Sequence, residues 1–139
     1  MNGKTIVLDA NILIRAVLGQ RVRQLILAHA SQVNFFAPDV AYDDARKYLP
    51  ALLKKRGLPP EAAMTVLNLL EPIVRPMTLA LYAPHREAAL QRIASRDADD
   101  WPVLACAMAW GCAVWTEDAD FFGSGVATWT TDRVALYLA

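Results

Sequence analysis

Four aspartates in this 139-residue chain stand where carboxylate chemistry is done. Asp9 follows the apolar run Ile6-Val7-Leu8, Asp44 lies in a helical pattern after Pro38, Asp100 precedes Trp101-Pro102, and Asp118 comes just beyond Ala113-Val114-Trp115-Thr116. Two carboxylates about 4 Å apart repel by roughly 4 kcal/mol at an effective dielectric of 20. Three or four together therefore persist only when protonated or offset by a cation. No lysine or histidine is spaced to join all four. Mg²⁺ or Mn²⁺, which take oxygen ligands, is the economical counter-charge. A cation held this way eases loss of a proton from a bound water and offsets negative charge that develops beside it.

Each acid also has an ordinary explanation when taken alone. Asp9 can cap the following helix, Asp99 or Asp100 can cap the helix ahead of Trp101-Pro102, and Asp118 and Asp120 can serve as turn residues before Phe121. Asp44 is harder to dismiss. It falls on an apolar stripe with Val40, Ala41, Ala45, Tyr48, Leu49 and Leu52, where an unpaired carboxylate is costly. Asp43 points elsewhere and is placed to pair with Lys47 at i+4.

The elements that must position these acids alternate. Residues 5–8 read as a strand and 12–18 as a helix ending at Gly19; 21–30 is a second helix and 33–37 a second strand closed by Pro38. Asp39 is placed to cap a helix that runs towards Arg56 and stops at Gly57, and Pro59-Pro60-Glu61 opens another that ends at Pro72. Residues 73–77 form a candidate edge strand because of Pro76, 85–95 a helix, 101–110 a helix ending at Gly111, and 113–116 a fourth strand. Residues 126–129 and 132–138 complete the pattern as a short strand and a closing helix. Such alternation implies a parallel sheet covered on both faces, with ligands bound beyond the carboxyl ends of the strands. A helix feeding a strand starts at that same edge, so Asp9, Asp100 and Asp118 are expected to share it.

Composition bounds the remaining choices. With 55% hydrophobic and 20% charged residues, residues 1–139 are expected to fold as one domain. Lys plus Arg and Asp plus Glu number 14 each, so no overall basic field exists and any polyanion site must be local. The longest uncharged stretch, 101–116, is shorter than the roughly 20 residues a membrane span needs. Asp9 also interrupts the first apolar run, and the chain reads as cytoplasmic without a membrane segment. Cys106 and Cys112 form no metal-binding or redox motif and read as buried free thiols.

Four segments in this order and spacing carry a resemblance: 7–14 with Asp9 and Asn11, 38–45 with Asp43 and Asp44, 99–105 with Asp100, and 116–121 with Thr116, Asp118 and Asp120. Eighteen residues separate Asp100 from Asp118. Over nearly its whole length the chain resembles the PIN-domain nucleases, and particularly the small bacterial group that includes VapC-type toxins. The resemblance implies a three-layer α/β/α sandwich with a central, mainly parallel sheet. It implies one or two divalent ions, Mg²⁺ or Mn²⁺, that activate water to cleave single-stranded or structured RNA, leaving a 5′-phosphate and a 3′-hydroxyl. Asp9, Asp44, Asp100 and Asp118 correspond to the catalytic acids, with Asp9, Asp100, Asp118 and Asp120 at the metal, while Asn11 and Thr116 assist through hydrogen bonds. The family's second acid is most often glutamate. Here it is aspartate, and the choice between Asp43 and Asp44 stays open. An antitoxin protein is the implied partner if the toxin role carries over. A homodimer seam is expected on the apolar face of 60–70. The alternative is a PIN-like module that binds RNA or protein without cutting it.

Other features are weaker. Arg15, Arg21 and Arg23 flank the first helix near the expected edge and are candidate RNA contacts, whereas Lys54-Lys55-Arg56 reads first as a favourable helix C-terminus. Trp101 is the one tryptophan placed to stack on a base. His29, His85 and Gly123-Ser124-Gly125 match no nucleophile motif, and no phosphate-cradling glycine pattern occurs. A phosphatase with a strand-end aspartate nucleophile needs a second aspartate where Asn11 stands, and a receiver domain needs a lysine that Thr116-Glu117-Asp118 does not supply.

Overall fold

The first strand, β1 (Lys4–Leu8), alternates its side chains between two cores. Ile6 and Leu8 enter one with Phe35, Ala37 and Trp115, while Val7 enters the other with Phe36 and Val114. A strand buried on both faces must be apolar at every position, which is why these segments read as unbroken hydrophobic runs. The computed structural model describes residues 3–93 and 96–139.

Around β1 stand β2 (Val33–Pro38), β3 (Val74–Met77), β4 (Ala113–Trp115) and β5 (Thr128–Trp129), in the order β3-β2-β1-β4-β5 with every pairing parallel. The helices are α1 (Ala10–Leu18), α2 (Arg21–His29), α3 (Asp39–Lys55), α4 (Glu61–Leu70), α5 (Leu79–Tyr82), α6 (Arg86–Ile93), α7 (Trp101–Trp110) and α8 (Val134–Leu138). One core packs α1, α2, α3, α4 and α8 against the sheet, and the other packs α5, α6 and α7. The result is the expected three-layer α/β/α arrangement. β1, β2 and β3 are laid down in one direction, after which the chain crosses to β4 on the other side of β1. The strand order therefore switches between β1 and β4, where open parallel sheets form a ligand crevice at their carboxyl edge.

Several expectations are corrected. Asp39 is not a cap: it is the first residue of α3, with Pro38 in the capping position. Its carboxylate accepts from Val40 N at 2.9 Å, Leu79 N at 3.2 Å and the Tyr82 hydroxyl, tying α3 to α5. α5 itself was not expected from the sequence. The helix expected at 85–95 begins as a short 3₁₀ turn, Ala83–His85, and becomes α-helical at Arg86; its expected end at Ser95 lies outside the described residues. Ala63, Leu67 and Leu70 of α4 are buried in the chain's own core, so this face is not free to form a dimer seam. Cys106 is buried and Cys112 half-buried. Among the described residues no helix is long and apolar enough to cross a membrane.

Candidate metal centre

Strand register delivers the first contact of the site. Leu8 pairs with Trp115, so the residues that follow each strand, Asp9 and Thr116, emerge side by side at the carboxyl edge. The Thr116 hydroxyl donates to Asp9 Oδ2, and Thr116 Oγ1 in turn accepts from Asp118 N at 2.9 Å. The other oxygen of Asp9 accepts from Ile12 N at 2.9 Å, capping α1. Asp9 is 8% exposed and Thr116 fully buried. Burial pushes the Asp9 carboxyl above its ordinary range, opposed by its two hydrogen bonds and reinforced by the charges of Asp118 and Glu117.

Asp100 is brought to this edge by the 3₁₀ turn Ala98–Asp100, which leads into α7. It occupies the capping position of α7, yet its side chain makes no capping hydrogen bond, so the ordinary explanation for this residue fails. Its Oδ2 is buried without a hydrogen-bond partner. Its carboxyl is pushed up to about 7, first by burial, then by the charge of Asp118, with Asp97, a hydrogen bond shared with Asp118, and Asp9 adding to the shift. A buried carboxylate oxygen left without a donor is normally costly, which points to a missing positive partner.

A second 3₁₀ turn, Ala119–Phe121, is capped by Asp118, whose Oδ1 accepts from Asp120 N at 2.9 Å. This turn presents Asp120 towards Asp97 and Asp100. One oxygen from each of these three lies within 4.8 Å of the others. Asp97 was not among the sequence candidates. The i, i+3 spacing from Asp97 to Asp100, which a 3₁₀ turn stacks on one side, was the available signal. Asp9, expected at the metal, is not one of this trio, and both of its oxygens already accept hydrogen bonds.

A cleft of about 200 Å³ opens over the edge, lined by Asp9, Asn11, Asp44, Asp99, Asp100 and Asp118 among others. Asp44 faces this cleft with Val40 and Tyr48 from the same side of α3; Asp43 does not line it. The expected apolar stripe of α3 is thereby divided: Ala41, Ala45 and Leu49 enter the core, while Val40, Asp44 and Tyr48 form an exposed cleft wall. Asp44 thus avoids the desolvation expected of it. The expected Asp43–Lys47 pair is not formed among the described residues, and Lys47 Nζ stands 5.5 Å over the Tyr48 ring.

A hard divalent cation fits this donor set: carboxylate oxygens converge, one of them is buried and unpartnered, and among the described residues no cationic side chain lines the cleft. The sequence profile of the PIN domain family matches residues 7–139. The chain belongs to the PIN domain family. Compared by sequence with curated proteins, it has no match. Among solved structures this PIN domain is similar to a chain in the crystal structure of VapBC2 from Rickettsia felis bound to a DNA fragment from their promoter. The two share 11% identity at a TM-score of 0.68, covering 91% of this chain and 98% of that one.

The PIN domain's other candidate residues divide. Arg15 and Arg21 line an open cleft beside the acids. Arg23 instead places its guanidinium on the carbonyls of Ala16 and Val17, each at 3.1 Å, closing the C-terminal end of α1. Trp101 is half-buried, with the Tyr82 ring 5.6 Å and the Arg86 guanidinium 5.4 Å from its own ring.

Proposed function

We propose that this PIN domain, folded as a single unit over residues 1–139, is a divalent-metal-dependent endoribonuclease that acts as the toxin of a toxin–antitoxin pair. One observation carries the reading: the buried, unpartnered Oδ2 of Asp100, set among the carboxylates of Asp9, Asp97, Asp118 and Asp120 at the sheet's switch point. Asp100, Asp118, Asp120 and Asp97 are the residues that would hold Mg²⁺ or Mn²⁺, with Asp9 and Asp44 completing the acidic wall. The bound ion supplies an acidified water and a counter-charge for the phosphate. The chain's own residues do the rest. Thr116 fixes Asp9 and, through Asp118 N, the turn that carries Asp118 and Asp120. Asp44 and Asn11 are both exposed in the cleft wall, where Asp44 would accept a proton from a water approaching the phosphate and Asn11 would orient that water by hydrogen bonding. A carboxylate does this by accepting the hydrogen bond of the attacking water.

Kinship with the PIN family and the likeness of fold to a VapBC2 chain support the toxin role and an antitoxin partner. RNA as substrate, a cytoplasmic setting and a homodimer belong to the same proposal. The test is incubation of the purified chain with labelled RNA and with DNA, with Mn²⁺ and with chelator. Chelator-sensitive cleavage of RNA, absent in Asp100→Asn, is expected. Uncut RNA together with tight RNA or protein binding would place the chain among non-catalytic PIN-like modules.

A further inference from the structure

Three concavities follow one another along α1. The acid cleft is lined by Asn11, Ile14 and Asp118 among others; a hollow of about 390 Å³ shares those three and adds Arg15 and Glu117. A larger cleft of about 830 Å³ shares Arg15 and Glu117 in turn and extends to Arg21 and Arg56. Shared walls make this one groove, which starts at the carboxylates and ends beside Gly19. From Asn11 to Gly19 the helix covers about 12 Å at 1.5 Å per residue.

The sign of the charge reverses along the groove. Arg15 from α1, Arg21 from α2 and Arg56 from the end of α3 come from three separate elements to one cleft. The same cleft is lined by Glu117, whose Oε1 accepts from Thr131 N at 2.7 Å, and by Asp132, whose Oδ1 accepts from the Thr130 hydroxyl, so its lining has a formal excess of one positive charge. Arg21 lies near Asp132, while Arg15 and Arg56 have no ion pair among the described residues. In a chain of zero formal net charge, this is a local positive site one helix length from the carboxylates.

We propose that the arginine cleft binds the backbone phosphates of a single-stranded RNA whose scissile phosphate lies at the carboxylates. The inference rests on the nuclease reading above. A strand held at the acids has to leave their cleft, and the continuous groove leads it to guanidinium groups, whose forked donors match phosphate oxygens. Contacts made through phosphates position the strand without reading its bases.

The test uses Arg21→Gln and Arg56→Gln, both at exposed positions. Anisotropy of a labelled oligouridylate of about a dozen nucleotides is measured in chelator across a salt series. Each substitution is expected to flatten the slope of log K against log salt by about 0.7 and to weaken binding several-fold, whereas the exposed Lys47→Gln leaves both unchanged. With Mn²⁺, the same two variants are expected to raise KM for long RNA and to leave cleavage of a dinucleotide unaltered. Unchanged affinity and slope in the double arginine variant would overturn the proposal, even if RNA is cut. Arginine-dependent binding of a polyglutamate peptide with arginine-independent binding of RNA would also overturn it, assigning the cleft to an acidic protein segment. If the unaltered chain cuts nothing while binding depends on the arginines, the nuclease reading fails and the phosphate site stands.

Discussion

Asp100→Asn is expected to stabilise the metal-free protein while disabling its site. In the folded chain, oxygens of Asp97, Asp100 and Asp120 lie within 4.8 Å of one another. Two unit charges at that distance repel by about 3.5 kcal/mol at an effective dielectric of 20 and by about 0.9 kcal/mol in water. Asp97 is exposed and the other two half-buried, which places each pair towards the lower figure, about 1–2 kcal/mol. Neutralising Asp100 removes two such pairs together with its repulsion from Asp118, and the new amide supplies a donor to a neighbouring carboxylate. After allowance for smaller repulsions in the unfolded chain, a gain of about 2 kcal/mol is expected, or about 5–10 °C in Tm. The gain has a pH signature. The Asp100 carboxyl is raised from 3.8 to about 7, so the folded protein keeps a proton that the unfolded chain releases at lower pH. Its contribution to stability therefore falls as pH rises from about 4 to about 7 and is level above that. Thermal denaturation in chelator should show the variant ahead at pH 7.5 and the two proteins converging near pH 4.5. Mg²⁺ at a hundred times its Kd adds about 2.7 kcal/mol to the unaltered protein, and the variant should lose most of this. A variant that melts lower than the parent at pH 7.5 without metal, or a gap independent of pH, would refute the reasoning.

Three further outcomes are expected. Thr116→Val strips Asp9 of a donor and Asp118 N of an acceptor inside a buried site, so it should cost about 2–3 kcal/mol in denaturant unfolding and weaken Mn²⁺ binding by calorimetry, with Thr116→Ser restoring most of both. Asp44→Asn should lower RNA cleavage at least tenfold while Asp43→Asn changes it less than twofold, because only Asp44 lines the acid cleft; the opposite ranking would place the second acid on the wrong side of α3. Asp39→Ala should destabilise the chain by about 1–3 kcal/mol and speed hydrogen exchange in α5, which it holds through Leu79 N and the Tyr82 hydroxyl.

The layered fold was legible because its signals are local. Ile6-Val7-Leu8 and Ala113-Val114-Trp115 are apolar at every position and stop at polar residues, and α7 ends where Gly111 adopts the left-handed conformation at φ +62°. What escaped depends on contacts distant in sequence. α5 is four residues held by Asp39 from 40 positions away, and no periodicity announces it. Asp97 joins Asp100 and Asp120 only because two 3₁₀ turns face each other, one after α6 and one after β4. Helical phase placed Asp44 with Val40 and Tyr48, but hydrophobicity alone does not distinguish a cleft wall from a core. Arg23 looked like a free cation until the carbonyls at the end of α1 were seen to hold it.

The central claim is that these aspartates form a divalent cation site built around Asp100. Crystals grown or soaked with Mn²⁺ and measured for anomalous scattering test it directly. An anomalous peak within about 2.0–2.3 Å of Asp100 Oδ2, sharing ligands from Asp118, Asp120 or Asp97 and missing from Asp100→Asn crystals, is the result expected. Saturating Mn²⁺ that leaves the acid edge without a peak, or that binds there equally in the variant, would contradict the account.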